Sequence, residues 1–276
     1  MQEQERLRIM AIGDVIGRTG RQLLKRRLHQ LREQLEVDVV VANAENCAGG
    51  FGVTQDAYKE LIKAGVDYMT SGNHVYDKKG TENWLDQADR LVRPINFPPG
   101  SHGHPFILDT MTSGHRIAIV NPIGRVFMKT YDCPFRAMEN WLNEFRNQAD
   151  LVLVDMHAEA TSEKMAMGQY LAGQVSAVWG THTHVPTADA RLLGTTGYVT
   201  DLGMTGAYDS VIGMEKESVI AGFFDLKRRP FEVAKNDPRI SFCIFDVTPV
   251  NGRCIHIQSH VYSMDQLEEI YGQAPN

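Results

Sequence analysis

Short apolar runs alternate with amphipathic segments along the first two thirds of the chain. The runs of strand length are residues 8–12, 37–42, 64–69, 116–120, 150–154 and 175–179. After the first run, Leu24, Leu28, Leu31 and Leu35 recur at helical spacing, which predicts a helix over residues 20–34. A second helix is expected near residues 54–64. Strands that alternate with helices in this way are typical of largely parallel strands buried on both faces.

The last third of the sequence predicts a β-rich region. Strands are expected at residues 190–193, 198–199, 219–224, 240–247 and 254–261. The segment 94–105 is rich in Pro and Gly and is expected to be a loop. Lys25, Arg26 and Arg27 are expected on the solvated side of the first helix. No repeat and no break in composition divides the sequence, so residues 1–276 are expected to form a single domain.

Polar side chains directly follow five of the predicted strands. They are Asp14 after the first strand, Glu45 and Asn46 after the second, Asn73 and His74 after the third, His157 after the fifth, and His182 and His184 after the sixth. In open α/β sheets, ligands bind at the edge formed by the carboxyl ends of the strands. Since five separate runs end in the same way, the sequence predicts one shared site at that edge.

The residue types of this set indicate metal chemistry. Oxygen and imidazole donors suit Mn, Fe, Zn or similar ions, whereas soft thiolate sites need cysteine. The set exceeds what one ion needs, which favours two ions that share a bridging carboxylate. Such a pair, about 3.5–4 Å apart, can bind the attacking and leaving oxygens of an in-line displacement at phosphorus and supply a hydroxide nucleophile near neutral pH. His74, beside the candidate ligand Asn73, suits the remaining role of proton donor to the leaving oxygen.

Charge and cysteine usage narrow the class of protein. The net charge of -6 and pI of about 5.9 argue against a broad basic surface for duplex nucleic acid but allow a small phosphate-bearing substrate. The four cysteines form no C-x-x-C pair, and the charged start of the chain lacks an apolar signal region. No apolar run approaches the roughly 18 residues of a membrane span. These features predict a cytoplasmic protein with reduced thiols and no membrane association.

Several motifs have a simpler interpretation. Asp14 could cap the following helix, and the segment 182–184 could be an ordinary polar turn, but their place in the set favours metal binding for both. Cys47 is expected to be a small packed residue. His102 and His104 lie in the Pro/Gly loop and are not expected to bind metal. Dinucleotide, P-loop and serine-nucleophile motifs are absent from the sequence.

Two stretches carry a family resemblance. Gly72-Asn73-His74 and Gly180-Thr181-His182-Thr183-His184 resemble the G-N-H and G-H-x-H signatures of calcineurin-like metallophosphoesterases. The whole chain more closely resembles the YmdB-like bacterial branch of that superfamily. Its matching stretches are residues 13–17, 43–46, 121–128, 155–164, 200–206 and 209–214. The resemblance therefore runs from about residue 8 to the last strands.

The resemblance implies a fold and a set of ligands. The fold would be α/β, a metallophosphatase-type sandwich of two packed mixed β-sheets flanked by helices. The superfamily usually carries D-x-H after its first strand, whereas this sequence has Asp14-Val15-Ile16. In the resembled branch, Asn46 takes the role of that histidine and Glu45 replaces the usual bridging aspartate. One ion would be held by Asp14, Glu45, Asn46 and His184, and the other by Glu45, Asn73, His157 and His182, with His74 as proton donor.

The resemblance also implies a phosphodiesterase that acts on a cyclic nucleotide, either 2',3'- or 3',5'-cyclic. Its cofactors would be two divalent or trivalent metal ions, with iron or manganese ahead of zinc. Arg125, in a matching stretch, would either contact the substrate phosphate or form a structural ion pair. Two alternatives stay open, a phosphomonoesterase and a metal-stabilised nucleotide-binding regulatory protein with little turnover. A homo-oligomer is the default expectation for a soluble protein.

Overall fold

Two β-sheets and six α-helices make up the described part of the chain, residues 6–225, 227 and 229–273 of a computed structural model. The strands are β1 Leu7–Ile12, β2 Asp14–Val15, β3 Val39–Asn43, β4 Tyr68–Thr70, β5 Phe106–Thr110, β6 Arg116–Val120, β7 Leu151–His157, β8 Ala177–Thr181, β9 Arg191–Leu193, β10 Thr196–Val199, β11 Met204–Ala207, β12 Pro238–Thr248 and β13 Arg253–Ser263. The helices are α1 Gly17–Gln34, α2 Gln55–Ala64, α3 Pro134–Phe145, α4 Thr161–Leu171, α5 Lys216–Asp225 and α6 Met264–Tyr271.

The first sheet has the strand order β2-β11-β12-β1-β3-β4, and β13 also pairs with β12. Strands β1, β3 and β4 are parallel, with Ile12 opposite Ala42 and Asn43 opposite Thr70. Strand β12 is antiparallel to β1. This register brings the carboxyl ends of the three parallel strands to one edge of the sheet.

The second sheet has the strand order β5-β6-β7-β8-β10-β9. Strands β6, β7, β8 and β10 are parallel, whereas the edge strands β5 and β9 are antiparallel to their neighbours. His157, the last residue of β7, lies opposite Thr181, the last residue of β8. The two strand ends that carry the candidate histidines are therefore neighbours.

The two sheets pack face to face with helices outside. Ile9 and Phe245 of the first sheet share a buried core with Leu153 and Trp179 of the second, and the rings of Trp179 and Phe245 are 5.8 Å apart between centroids. Helices α1, α2 and α6 cover the outer face of the first sheet, and α3 and α4 cover that of the second. This arrangement confirms the α/β sandwich of two mixed sheets flanked by helices.

The strand predicted at residues 219–224 is wrong, because this segment belongs to helix α5. Its run of β-branched and aromatic residues favours a strand locally, but no neighbouring strand of either sheet pairs with it in the described structure. No residue of α5 is buried. The apolar side chains of this segment therefore serve something other than the core.

The solvated position predicted for Arg27 is also wrong. Its side chain is buried on α1, where it donates to Glu268 Oε1 at 2.9 Å and to the carbonyl oxygen of Gly272 at 2.7 Å. Helix α6 packs over this face of α1. Glu268 belongs to α6, and Gly272 directly follows it. Charge patterning on one helix could not predict a cover that comes from the far end of the chain.

Other predictions agree with the structure. Residues 94–105 contain no helix and no extended strand. Cys47, Cys133, Cys243 and Cys254 are all free thiols. Among the described residues, no helix is both long enough and apolar enough to cross a membrane.

Candidate metal centre

The polar residues that follow the predicted strands lie together at one end of the sandwich. Asp14 is on β2, Glu45 and Asn46 are in the turn after β3, Asn73 follows β4, His157 ends β7, and His182 and His184 follow β8. Four of them are almost fully buried, namely Asp14, Glu45, Asn46 and His157. Both sheets therefore deliver side chains to the same small volume.

Tight backbone geometry makes this convergence possible. A Cβ atom on Gly72 would lie 2.2 Å from His157 Nε2 and 2.3 Å from Glu45 Oε2, so only glycine fits between these two side chains. His182 and His184 have φ angles of 97° and 64°, in the left-handed region that non-glycine residues rarely adopt. Such strain is typical of functional sites, where the surrounding structure holds the backbone in place.

The first of two candidate clusters contains Glu45, His157 and His182, whose ligand atoms all lie within 4.8 Å of one another. His157 Nε2 is 3.2 Å from Glu45 Oε1 and 3.1 Å from His182 Nδ1. The amide oxygen of Asn73 lies 3.1 Å from the same His157 nitrogen. One carboxylate, two imidazoles and one amide oxygen thus surround a single point.

The second cluster contains Asp14, Glu45 and His184, again within 4.8 Å. His184 Nε2 is 3.8 Å from Asp14 Oδ1 and 3.0 Å from Asn46 Nδ2. Asn46 also donates to Glu45 Oε1 at 3.1 Å. Glu45 belongs to both clusters, which is the position that a carboxylate shared by two ions would occupy.

Two buried oxygens of the second cluster fit a cation. Asp14 Oδ1 and Asn46 Oδ1 have no hydrogen-bond partner. Leaving a buried polar atom unpaired costs about 1–3 kcal/mol, and more for a charged group, so such atoms are rare in folded proteins. A cation bound between them would satisfy both oxygens. The residues present therefore fit the metal ions that this donor set implies.

The hydrogen bonds behind His157 fix its tautomer. The Thr181 hydroxyl donates to Asp155 Oδ1 at 2.6 Å, and its oxygen lies 2.9 Å from His157 Nδ1. Because the single hydroxyl proton goes to Asp155, the hydroxyl accepts from Nδ1–H of the ring. The lone pair of His157 is then on Nε2, the atom that faces Glu45 and Asn73.

The other two histidines are oriented in the same manner. His184 Nδ1 lies 2.8 Å from the carbonyl oxygen of Ile212, which can only accept, so Nε2 carries the lone pair. His182 Nε2 lies 3.1 Å from the carboxylate of Glu159, which leaves the lone pair on Nδ1. In their neutral forms, the three imidazoles therefore direct lone pairs at the two clusters, as metal-binding histidines require.

The pKa values of this centre are strongly perturbed. Burial opposes ionisation of Glu45, but nearby His157 outweighs burial and lowers the pKa of Glu45 to about 2. Burial also disfavours a charged His157, yet the carboxylate of Glu45 raises its pKa to about 9. Burial raises the pKa of Asp14 to about 7, and burial together with His157 lowers that of His182 to about 3. A proton on His157 thus occupies a position that a metal ion would take.

His74 lies beside the clusters on the wall of a cavity. Its backbone N–H donates to Glu45 Oε2 at 3.1 Å, and its Nδ1 lies 2.6 Å from Asp77 Oδ2. Because a carboxylate accepts, Nδ1 carries the proton and Nε2 is the atom free for proton exchange. The ring of Phe51 packs edge-on against His74 at 5.1 Å between centroids.

The cavity has a volume of about 900 Å³ and opens onto both clusters. Glu45, Asn46, His182 and His184 form its polar floor. Apolar residues from the segment around α5, including Phe223 and Phe231, line the remaining wall. A reacting group held at the clusters would therefore extend into a largely apolar space.

Three other residues that the sequence brought into question, Arg125, Cys47 and His102, lie outside both clusters and outside the described lining of the cavity. Arg125 is exposed and does not belong to the described lining of the cavity, while its backbone N–H contacts the carboxylate of Glu163. A role of Arg125 in substrate binding stays a prediction. Cys47 is buried, and burial raises the pKa of its thiol to about 12, in keeping with a packed residue. His102 forms an ion pair with Asp86.

The sequence did not single out the residues that support the histidines. Each of these supporting residues contacts a histidine or another supporting residue. Asp77 contacts His74, Glu159 contacts His182, and Thr181 contacts His157. Asp155 accepts from Thr181. Asp77 lies three residues after His74, a spacing at which a turn can bring the two side chains together. Thr181 and Asp155 had no comparable signal, because their contacts join adjacent strands of the sheet.

Comparison with known proteins agrees with this geometry. The model of the YmdB-like protein family matches residues 10–260. A 2',3'-cyclic-nucleotide 2'-phosphodiesterase of Bacillus subtilis strain 168 is 38% identical over 262 residues, which cover 95% of this chain and 99% of the relative. A phosphatase from Mycoplasma pneumoniae of known structure has a TM-score of 0.88 at 32% identity, over 94% of each chain. A Thermus thermophilus protein described as hypothetical has a TM-score of 0.86 at 42% identity, over 93% of this chain and 99% of that one.

Fold, donor set and relatives together define a phosphoester hydrolase of the metallophosphoesterase class. Within that class, the chain belongs to the YmdB-like family. Membership implies bound metal ions, and the two clusters around Glu45 are the candidate groups for them.

Proposed function

We propose that this protein is a binuclear metal-dependent phosphodiesterase that hydrolyses a small nucleotide phosphoester, most directly a 2',3'- or 3',5'-cyclic nucleotide. The observation that carries the proposal is the position of Glu45. Its carboxylate belongs to both three-residue clusters, and it is the single residue that they share. A carboxylate in this position suits a pair of ions rather than one ion.

We assign the ligand sets of the two ions from the family resemblance, and the two clusters support the assignment. Asp14, Glu45, Asn46 and His184 would hold one ion, and Glu45, Asn73, His157 and His182 would hold the other. These donors are oxygen and nitrogen atoms, which suit iron, manganese and zinc, and the family resemblance puts iron or manganese ahead of zinc. When bound, the pair supplies Lewis-acid stabilisation of the charge on the phosphoryl oxygens and activates water as the nucleophile.

We assign His74 as the general acid that protonates the leaving oxygen. Its Nδ1–H is held by Asp77 at 2.6 Å, which fixes the ring and leaves Nε2 for proton transfer. His74 lines the cavity, so its side chain borders the space where the leaving group would lie. Asp77 is a positioning residue, since it would act only through His74.

The choice of a cyclic nucleotide rests on the name of the Bacillus subtilis relative and on the cavity. That relative is a 2',3'-cyclic-nucleotide 2'-phosphodiesterase. The cavity, about 900 Å³, is within the size range of sites for small organic ligands. A net charge of -6 disfavours long nucleic acids, whose binding depends on many contacts between basic residues and phosphates. Arg125 is the proposed additional contact to substrate phosphate.

Substrate hydrolysis by purified protein loaded with Mn²⁺, Fe²⁺ or Zn²⁺ tests the proposal. We expect turnover of 2',3'-cyclic AMP, 3',5'-cyclic AMP or bis-p-nitrophenyl phosphate to exceed that of p-nitrophenyl phosphate. The reverse order would indicate a phosphomonoesterase. Nucleotide binding without turnover of any ester would instead indicate the regulatory binding protein.

The variant His74→Ala separates chemistry from metal binding. It should retain the metal content of the wild type and lose about 10²–10⁴-fold in rate, the usual contribution of a general acid. Equal rates for the variant and the wild type would remove His74 from the mechanism.

The cellular setting completes the proposal. Four free cysteines are compatible with a reducing cytoplasm. We propose a cytoplasmic enzyme with a small-molecule substrate and no duplex nucleic acid partner, and a homo-oligomer stays the default expectation for its assembly.

A further inference from the structure

Helix α5 lies on an excursion of the chain that is closed at its base. Met214 and Val233 form an isolated antiparallel bridge, and the N–H of Glu215 donates to the carbonyl oxygen of Glu232 at 2.8 Å. The described residues between these pairs form no strand of either sheet. At the foot of the excursion, the carbonyl oxygen of Ile212 accepts from His184, so this segment is anchored directly to the candidate metal centre.

Phenylalanine rings from this excursion form one wall of the cavity. Phe223 on α5 and Phe231 after it both line the cavity, with 80% and 57% of their surface exposed. Phe231 lies 6.0 Å from Phe51 between ring centroids, and Phe51 in turn packs against His74. Neighbouring aromatic rings therefore lead from His74 through Phe51 to Phe231 on the wall of the cavity.

The charges near this wall do not favour a second phosphate. Lys227 and Arg229 line the cavity, but both lie against Asp225, with Arg229 Nη2 2.6 Å and Lys227 Nζ 4.0 Å from its carboxylate. The one carboxylate of Asp225 offsets the charge of Arg229, which donates to it twice at 2.6 Å, and leaves the exposed Lys227 as the single remaining cation of this pair. What the wall offers to a ligand is flat aromatic surface, which binds heteroaromatic rings by stacking.

The geometry points to a nucleobase subsite formed by Phe223 and Phe231. The inference rests on the proposed function, because a phosphoester bound at the two clusters must place its organic group in the cavity that opens from them. A nucleoside fits this arrangement, with its phosphate at the polar floor and its base against the aromatic wall. The exposed rings of Phe223 and Phe231 then serve substrate selection, which explains why they do not pack in the core.

A pair of substrates that differ only in the base tests the subsite. We would compare kcat/KM for 2',3'-cyclic AMP with that for methyl riboside 2',3'-cyclic phosphate, which has the same reacting ester and no base. Since stacking on an aromatic side chain is worth about 1–3 kcal/mol per base, the wild type should prefer the nucleotide by roughly 5- to 150-fold. Phe223→Ala and Phe231→Ala should each remove much of this preference.

Phe224→Ala is the matched control. Phe224 is the neighbour of Phe223 on α5 and is 87% exposed, but it does not belong to the described lining of the cavity. This variant should keep the wild-type preference. The subsite proposal is wrong if Phe223→Ala and Phe231→Ala keep the preference for the nucleotide as Phe224→Ala does. It is also wrong if the wild type hydrolyses both esters equally well. In either case the phosphodiesterase proposal stands.

Two further outcomes separate the inference from its alternatives. If the wild type hydrolyses neither ester, the proposed function fails, and equilibrium binding of AMP then tests the subsite. Weaker AMP binding by the Phe223 and Phe231 variants would support the subsite. Equal AMP binding by all variants would overturn it. If Phe223→Ala reduces the assembly size in gel filtration while the preference for the base is unchanged, the rings form a contact between copies of the chain and the subsite is wrong.

Discussion

The floor and the aromatic wall of the cavity are built in opposite ways. Glu45 on the floor, and Asp14 and His157 next to it, are almost fully buried and have hydrogen-bonded neighbours at the ends of strands. On the wall, Phe223 and Phe231 are exposed on an excursion outside both sheets. Reactive groups must be held to within fractions of an ångström, whereas a stacking surface tolerates looser placement. We propose that the sandwich positions the reactive groups and that the excursion selects the substrate.

Removal of Glu45 should have the largest effect, because both clusters lose a ligand together. Glu45→Ala should reduce bound metal from about two ions per chain to well under one and lower kcat by at least about 10³-fold. Elemental analysis and initial rates on the same preparation provide the measurement. Asp246→Asn is the matched control, since Asp246 is a buried carboxylate that belongs to neither cluster and contacts Arg8 instead. Loss of a single ion in Glu45→Ala, with the other retained at full strength, would argue against a shared ligand.

Asp77 should matter next, and only through His74. Asp77→Asn should lower kcat by about 10–100-fold with metal content unchanged, because the ring of His74 loses the carboxylate that orients it. The double variant with His74→Ala should be no slower than His74→Ala alone. Additive losses in the double variant would show that Asp77 acts independently of His74.

Thr181 should affect metal affinity rather than the chemical step. Thr181→Val removes the hydroxyl that accepts from His157 Nδ1, so metal affinity should fall by about 10–100-fold, the usual scale for a residue that supports a metal ligand. Thr181→Ser keeps the hydroxyl and should bind metal nearly as well as the wild type. Equal affinities for the two variants, measured by competition with a chelator, would mean that this hydroxyl does not orient His157.

The pH dependence of metal uptake should be the mildest effect. The pKa of His157 is raised to about 9 by Glu45, so the ring is protonated at neutral pH until a metal ion displaces the proton. Apparent affinity should therefore rise by up to roughly tenfold per pH unit between about pH 7, the pKa of Asp14, and pH 9, and level off above the pKa of His157. Calorimetry at pH 7.5 in buffers of different ionisation enthalpy should show proton release, and uptake without released protons would contradict this account.

The sequence predicts the floor of the cavity much better than its wall. Strand ends carry Asp14, Glu45 and His157 to a common edge because parallel strands place their carboxyl ends on one side, and this rule needs only the local pattern of apolar runs. The side chains do lie together, and their roles as metal ligands stay predictions until an ion is observed. Thr181 was missed as a supporting residue because its contact with His157 depends on the pairing of β7 with β8.

The errors at residues 219–224 and at Arg27 have a shared origin. The segment 219–224 has the composition of a strand, but no partner strand is available, so it forms a helix whose apolar residues stay outside the core. Arg27 has the pattern of a solvated helix position, but α6 arrives from the end of the chain to cover it. In both cases the outcome depends on what another part of the chain does, which local periodicity does not contain.

Anomalous diffraction from crystals grown with Mn²⁺ would locate the ions of the proposed binuclear centre. We expect two manganese peaks per chain, about 3.5–4 Å apart, on either side of the Glu45 carboxylate and within reach of His157 and His184 respectively. A single peak at this site, or two peaks that do not share Glu45, would contradict the binuclear centre and the phosphodiesterase mechanism built on it.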